Sequence, residues 1–375
     1  MELPSHLAKL YIEPTNQCNL DCRTCIRNVW DEPQGMMSED VFSRVMDGLA
    51  AFSPVPAAFF GGFGEPLFHP GIVEMVRQAK SLGTSVELIT NATLLTKGLS
   101  RALIEAGLDI LWVSLDGARP ESYADIRLGA ALPQVLENLA DFRRAVYATA
   151  DRAECCFTPK TQLGIAFVAM KRNIADLPAV IDIGSEFGAR RFLVTNVLPY
   201  TKDMIDETLY SQALVDDSAG HLSLPRMDVD ETTYGSIYHA LRRFRSVWPG
   251  CDSAYAVNSC PFIASGSGAI RWDGLLSPCL PLLHSQTSYL SHLSDSGERF
   301  SRGWAIGSVT ERSLPDVWNA AEHLAFRGRV QAFDFAPCTN CGGCEMQNKN
   351  EEDCLGNEFP VCGGCLWAQG LIRCP

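Results

Sequence analysis

The chain has 375 residues, of which 46% are hydrophobic and 20% charged, a composition that excludes disordered and fibrous proteins. Its 31 basic and 44 acidic residues leave a net charge of −13 without any basic tract, which excludes a binder of long nucleic acids. No apolar run reaches the roughly 18 residues of a membrane span, and Met1–Leu10 lacks the apolar core of a signal peptide, so we expect a cytoplasmic protein without a membrane partner. Fifteen cysteines in such a chain indicate metal binding rather than disulfide bonds.

The first 200 residues alternate between short apolar strands and helices. The predicted strands are Ala8–Thr15, Ala57–Phe60, Ser85–Thr90, Ile110–Leu115, Gln162–Met170 and Arg191–Val197. The predicted helices are Val41–Ala51 with Ser38 as its N-cap, Gly71–Leu82, Leu99–Ala106, Pro133–Ala148 and Ile174–Phe187. This alternation indicates a parallel sheet covered by helices, which either curls into an open barrel or winds doubly. In both folds, ligands bind at the carboxyl ends of the strands.

The alternation of predicted strands and helices ends after residue 200. Residues 201–250 read as a connector with one helix near Tyr234–Val247. Residues 251–375 are rich in glycine, proline and cysteine, and contain too little periodic apolar sequence to bury a core without metal. We therefore predict three parts: a domain of residues 1–200, the connector, and a cysteine-rich domain of residues 251–375.

Three cysteines follow the first predicted strand in the spacing Cys18-x3-Cys22-x2-Cys25. Three thiolates on one tight loop can hold three irons of a [4Fe–4S] cluster and leave the fourth iron open to a small molecule. The alternative is a zinc loop, although zinc sites usually take two ligands from each of two knuckles.

This loop resembles the signature of the radical S-adenosylmethionine (SAM) superfamily, whose fold is a partial (β/α)6 barrel related to the TIM barrel. The resemblance implies SAM contacts after strands two to four, at Gly61, Gly62, Phe63, Gly64, Glu65, Asn91, Ser114 and Asp116. Glycines at the second strand end would let backbone carbonyls approach the SAM ammonium group, with Glu65 as a nearby acceptor. The residue before Cys25 is often aromatic in the superfamily, whereas here it is Thr24.

The last third of the chain resembles the SPASM extension, which binds two auxiliary [4Fe–4S] clusters. Cys260, thirteen residues, Gly274, four residues and Cys279 match its opening element, and Asp273-Gly274 is a favoured hairpin turn. The candidate ligands of the auxiliary clusters are Cys251, Cys260, Cys279, Cys338, Cys341, Cys344, Cys354, Cys362, Cys365 and Cys374. Ten cysteines compete for eight positions, and Cys251 is one candidate for a spare residue. Zinc ribbons are the alternative, since Cys-x2-Cys pairs also form them.

The segment from Glu351 to Gly370 resembles maturases associated with tungsten-dependent aldehyde ferredoxin oxidoreductases. The resemblances together imply an enzyme that cleaves SAM to a 5′-deoxyadenosyl radical and abstracts a hydrogen from a cofactor precursor, peptide or natural product. An electron donor such as ferredoxin or flavodoxin is the implied partner. The alternatives are a radical SAM step on a sugar or other small molecule, and a non-catalytic zinc scaffold or iron–sulfur electron carrier.

Overall fold

The computed structural model describes residues 6–149, 159–210, 222–225, 227–228, 230–247, 259–290, 297–336, 338 and 344–375. Its first strands are β1 Lys9–Ile12, β2 Ala57–Phe60, β3 Val86–Thr90, β4 Ile110–Ser114, β5 Gln162–Ala169 and β6 Ala189–Asn196. The helices of this region are α1 Glu39–Ala50, α2 Ile72–Ser81, α3 Lys97–Glu105, α4 Pro120–Ile126, α5 Leu132–Thr149 and α6 Leu177–Glu186. The predicted strands and helices are therefore confirmed to within a few residues at each end, and only the short α4 was missed.

Strand order decides between the two folds that the sequence left open. β1 to β6 are parallel and lie side by side in chain order. A doubly wound sheet would reverse its order at a switch point, so the partial barrel is confirmed and the doubly wound alternative is wrong.

Local signals set the helix boundaries. The Ser38 hydroxyl accepts a hydrogen bond from the Val41 amide at 3.2 Å, which confirms it as the N-cap of α1. Gly83 and Gly107 follow α2 and α3 with φ values of +78° and +94°, a backbone conformation that favours glycine.

The remaining strands are β7 Leu222–Ser223, β8 Ser267–Ile270, β9 Leu275–Ser277, β10 Gln286–Tyr289, β11 Glu298–Ser301 and β12 Gly307–Ser308. The remaining helices are α7 Tyr234–Val247, α8 Pro261–Ala264, α9 Leu314–Trp318 and α10 Ala321–Ala332. β8 and β9 form the expected hairpin, and β8 pairs in parallel with β1, so the barrel sheet continues as β12-β9-β8-β1. The C-terminal segment thus shares a sheet with the barrel, and the domain boundaries at 200 and 250 stay a prediction.

The two faces of the sheet bury different partners. Leu10 and Ile12 point from β1 toward the helices, whereas Tyr11 points to the opposite, inner face. There it packs with Phe59 and with Phe262, which the C-terminal segment contributes. The cysteine-rich segment therefore completes its core against the inside of the barrel. Within the described ranges, no helix is long and apolar enough to cross a membrane.

Candidate active site at the carboxyl ends of the strands

Three thiols lie on the tight loop after β1. Cys22 is buried, and Cys18 and Cys25 are half-buried. The Cys25 amide donates to the Cys22 carbonyl at 3.0 Å, and the Leu20 amide donates to Cys18 Sγ at 3.4 Å. Burial raises the pKa of all three thiols, that of Cys25 to about 11. At neutral pH the thiolate forms of these residues would therefore need a nearby cation, such as a bound metal ion, to stabilise them.

Donors and cations surround these thiols. Arg27 faces Cys18 and Cys25, and Arg127 donates a hydrogen bond to Cys22. Asn91 Nδ2 lies 3.9 Å from Cys18 Sγ. The buried Nε of Arg27 has no hydrogen-bond partner among the residues that the structure describes. Thiols faced by guanidinium and amide N–H groups fit an anionic iron–sulfur cluster, whose sulfurs accept such hydrogen bonds.

The glycine-rich loop after β2 packs on the end of β1. Gly62 has φ +148°, and a Cβ there would lie 2.8 Å from the side chain of Glu13. A Cβ at Gly64 would lie 2.2 Å from the carbonyl oxygen of Thr15. Both glycines are thus required by contacts within the protein, whereas their approach to SAM stays a prediction.

Glu65 joins this loop to the end of β3. Its side chain is buried, and its Oε1 accepts hydrogen bonds from the Thr90 hydroxyl at 2.6 Å and the Leu67 amide at 3.0 Å. Its Oε2 accepts from the Asn91 amide at 2.8 Å. Burial raises the pKa of Glu65, and these three donors act against that rise. Glu65 therefore positions Asn91, while its role as an acceptor for SAM is not tested by this geometry.

The residues after β4 differ in their availability to a ligand. Asp116 is fully buried, and its Oδ1 accepts from the Val168 amide at 2.7 Å. Its Oδ2 accepts from Arg127 Nε at 2.7 Å and Nη2 at 2.6 Å. The half-buried Ser114 hydroxyl, by contrast, makes no hydrogen bond with any residue in the described ranges. Ser114 is thus free to bind a ligand, and Asp116 orients Arg127.

Glu13 and His284 form a buried pair between the barrel and the C-terminal segment. Glu13 follows β1 on the inner face, and His284 Nε2 lies 2.9 Å from its Oε2. Glu13 Oε1 also accepts from the Phe63 amide at 3.1 Å. The imidazole ring packs edge-on against Trp30 at 4.4 Å and Phe63 at 5.7 Å between ring centroids. The C-terminal segment therefore reaches the glycine-rich loop.

Four cysteines line one cavity on the inner side of the barrel: Cys260, Cys279, Cys362 and Cys365. Burial raises the pKa of each thiol, and the charges of the other members raise that of Cys279 further. The pKa of Cys260 rises to about 12. We call these residues the first cysteine group; four thiols around one cavity fit a fully ligated cubane cluster.

A second cysteine group contains Cys338, Cys344 and Cys354. The thiol of Cys338 is close enough to those of Cys344 and Cys354 for their charges to raise its pKa, after burial as the main cause. Cys341 and Cys251 lie outside the described residues. No three His, Cys, Asp or Glu side chains in the described ranges are placed to bind a single metal ion. The ligands of a cubane do not converge on one point, because each binds a different iron.

Cys374 lies apart from both groups. Trp367 Nε1 donates to its Sγ at 3.2 Å, and burial raises its pKa to about 11. Its neighbours are Lys9 and Tyr11 on the inner face of β1, and the charge of Cys365 raises its pKa further. The structure thus places Cys374 beside the first cysteine group but outside the cavity that the group lines.

Family models match both parts of this arrangement. The radical SAM superfamily model matches residues 12–152, and the SPASM iron–sulfur cluster-binding domain model matches residues 260–345. The chain therefore contains a radical SAM domain and a SPASM domain. It is an enzyme that binds [4Fe–4S] clusters and SAM. The non-catalytic alternatives, a zinc scaffold or an electron carrier, are not supported.

Two curated proteins are similar to different shares of this chain. The tungsten-containing aldehyde ferredoxin oxidoreductase cofactor-modifying protein of Pyrococcus furiosus is 29% identical over 98% of this chain and 96% of its own length. The PqqA peptide cyclase of Bradyrhizobium diazoefficiens is 28% identical over 50% of this chain and 46% of its own. The comparison with the Pyrococcus protein therefore includes the cysteine-rich segment.

Solved structures support the fold of this radical SAM enzyme. Streptococcus suis SuiB bound to precursor peptide SuiA superposes with a TM-score of 0.57 at 16% identity, covering 91% of this chain and 70% of SuiB. The structure of anSMEcpe with AdoMet and the Cp18Cys peptide also gives a TM-score of 0.57, at 15% identity, covering 97% and 96% of the two chains. These similarities confirm the barrel with its SPASM extension.

Sequence reasoning missed four polar residues of the site. Arg127 and Arg27 face the loop that carries Cys18, Cys22 and Cys25. Glu13 of the barrel pairs with His284 of the C-terminal segment. Glu13 had a usable signal, because it lies two residues after Tyr11 and alternation along β1 places both on the inner face. The other three carry no motif. The partners of Arg127 and His284, which are Cys22 and Glu13, lie far away in the sequence, whereas Arg27 lies only two residues after Cys25.

Proposed function

We propose that this radical SAM enzyme modifies an enzyme cofactor, with Cys18, Cys22 and Cys25 as the ligands of the SAM-binding cluster. One observation carries the proposed substrate class: the similarity to the Pyrococcus cofactor-modifying protein spans 98% of the chain. When the open cluster is bound and reduced, it supplies the electron that splits SAM into methionine and a 5′-deoxyadenosyl radical able to abstract a substrate hydrogen.

The residues around the cluster loop have separate tasks in this proposal. The free hydroxyl of Ser114 and the guanidinium of Arg127 would bind the carboxylate or ribose hydroxyls of SAM. Asp116 and Glu65 hold Arg127 and Asn91 in place through hydrogen bonds of 2.6 to 2.8 Å. The SPASM segment closes the inner side of the barrel and would keep water and stray hydrogen donors away from the radical.

The two cysteine groups would hold the auxiliary clusters. We assign Cys260, Cys279, Cys362 and Cys365 to one cluster, supported by their shared cavity. The second cluster would take Cys338, Cys344 and Cys354, supported by their proximity, with Cys341 as the fourth ligand from the sequence spacing. Cys251 and Cys374 are then the two spare cysteines. This distribution accounts for eight ligands among ten cysteines.

Iron analysis of anaerobically reconstituted protein tests these assignments. The wild type should hold about twelve irons, four for each cubane. Replacing Cys18, Cys22 and Cys25 together by Ala should remove about four irons and abolish 5′-deoxyadenosine formation. The matched control is Cys374→Ala, which should keep all of the iron. Full SAM cleavage by the triple variant, or zinc in place of iron at the C-terminal cysteines, would contradict the assignments.

A peptide substrate is the second candidate, favoured by 28% identity to a PqqA peptide cyclase over half of the chain. The rate of 5′-deoxyadenosine formation distinguishes the two candidates. The proposal expects stimulation by the cofactor released from a tungsten-containing aldehyde ferredoxin oxidoreductase, and no stimulation by the PqqA peptide. Stimulation by the peptide alone would contradict it, and stimulation by neither would leave the sugar or small-molecule alternative.

The proposal also includes an electron donor and a cellular location for the enzyme. A ferredoxin or flavodoxin would reduce the SAM-binding cluster, because the fold supplies no reductant of its own. A cytoplasmic location is supported by the number of thiols, which a reducing compartment keeps available for iron. Reconstitution of SAM cleavage with reduced flavodoxin in place of dithionite tests the first of these points.

A further inference from the structure

Arg299 is a buried cation without a carboxylate partner among the residues that the structure describes. It lies on β11 and is 6% exposed, and burial lowers the pKa of its guanidinium. In the described part of the chain, no Asp or Glu forms an ion pair with it. Removing a charged side chain from water without compensation costs several kcal/mol, so a neighbouring anion is expected.

The guanidinium group contacts segments of both cysteine groups. Its Nη1 donates a hydrogen bond to the carbonyl oxygen of Gln347, three residues after Cys344 of the second group. A Cβ added to Gly364, which stands between Cys362 and Cys365, would lie 2.5 Å from the same Nη1 atom. Arg299 also lines the cavity of the first cysteine group.

The charges that act on Arg299 come from the same two groups. Against the effect of burial, the thiolate charges of Cys365, Cys338 and Cys362 favour the charged guanidinium. Two of these residues belong to the first cysteine group and one to the second. Both cysteine groups therefore provide negative charge that can compensate the buried guanidinium.

We propose that Arg299 is an electrostatic residue shared by the two auxiliary clusters and raises the reduction potential of both. A cluster with four thiolate ligands is anionic, and reduction adds one further negative charge. A fixed cation in a water-poor site stabilises that added charge more than it stabilises the oxidised form. Arg299 thus makes both clusters better electron acceptors. This inference rests on the cysteine groups assigned under the proposed function.

The test is an anaerobic redox titration of the reconstituted holoenzyme, followed by electron paramagnetic resonance. SAM is added in a parallel titration to identify the signal of the SAM-binding cluster. Arg299→Met should shift both auxiliary midpoints to more negative potentials by at least a tenfold change in the reduction equilibrium, which is 59 mV for one electron. Arg299→Lys, which keeps the charge, should shift them by much less.

Arg302→Met is the matched control, because it removes the same charge from the same region. The Arg302 side chain is 48% exposed and pairs with Glu351 at 3.4 Å, so water screens its charge and neither midpoint should move. Equal shifts in the Arg302 and Arg299 variants would show a general charge effect and overturn the proposal. Unchanged midpoints in a fully iron-loaded Arg299→Met protein would also overturn it.

If Arg299→Met loses iron, the Arg299→Lys variant still tests the proposal. The proposal then expects Arg299→Lys to hold all of its iron with midpoints near those of the wild type. A Lys variant that also loses iron would show that the shape of the side chain matters rather than its charge, and would overturn the proposal. Absence of the auxiliary clusters is recognised separately, because the wild type would then hold about four irons instead of about twelve.

Discussion

Replacement of Asp116 by Asn tests whether the buried pair with Arg127 stabilises the barrel. The carboxylate is fully buried and accepts hydrogen bonds of 2.6 and 2.7 Å from Arg127 and of 2.7 Å from the Val168 amide. Loss of one partner of a buried ion pair costs about 3–5 kcal/mol, because the remaining charge stays buried. Asn keeps an acceptor for Val168, so we expect the free energy of unfolding to fall by about 3 kcal/mol.

Urea unfolding of the anaerobic holoenzyme, followed by tryptophan fluorescence, measures this change, and iron analysis verifies cluster loading. Asp125→Asn is the matched control. Its carboxylate is 45% exposed and pairs with Arg23 and Arg172, so its loss should cost no more than about 1 kcal/mol. If fully iron-loaded Asp116→Asn unfolds at the same urea concentration as the wild type, the buried pair does not stabilise the barrel and the reasoning is wrong.

Two further predictions concern a close backbone contact and a buried histidine. Gly64→Ala should lower iron loading of the SAM-binding cluster, because its Cβ would lie 2.2 Å from the Thr15 carbonyl; Gly98→Ala, with nothing within 4 Å, should load normally. Iron analysis and SAM cleavage decide the point, and normal loading of the Gly64 variant would contradict it. Burial lowers the pKa of the His323 imidazole to about 4 in the folded protein. The neutral imidazole therefore contributes fully to the free energy of unfolding above pH 6.5. This contribution falls as the pH drops below 6.5, because the imidazole is protonated in the unfolded chain but not in the folded protein. From pH 7.5 to 5.5 the free energy of unfolding in urea should fall by about 1.4 kcal/mol more in the wild type than in His323→Gln. A variant of the exposed His239 should show the same pH dependence as the wild type. Equal pH dependence of the wild type and His323→Gln would disprove this prediction.

Two features of the C-terminal segment were not predicted from the sequence: the helix α10 and the pairing of β8 with β1. The helix α10 was not predicted, because polar His323 and Arg327 share its buried face with Phe326 and Val330 and weaken its apolar periodicity. β8 was predicted as part of a hairpin, but its pairing with β1 was not. Edge pairing between segments more than 250 residues apart leaves no local pattern in either of them.

The sequence by itself determined those features that depend on residues close together in the chain. The N-cap at Ser38, the glycine after α2 and the alternation of strands and helices depend on hydrogen bonds and periodicities within a few residues. The spacing from Cys18 to Cys25 is of the same kind, because one short loop holds all three thiols. Each of these features could therefore be predicted from neighbouring residues alone.

Contacts between distant residues were decided only by the tertiary structure. The division of the C-terminal cysteines into two groups depends on how the segments that carry Cys260, Cys338 and Cys362 pack together, which no spacing specifies. The pairing of Glu13 with His284 joins residues 271 positions apart. Asp116 is a further case, because its hydrogen bonds from Arg127 and the Val168 amide are seen only in the tertiary structure, while its contact with SAM stays a prediction. A motif identifies the chemical group, whereas burial and partners decide what that group is free to bind.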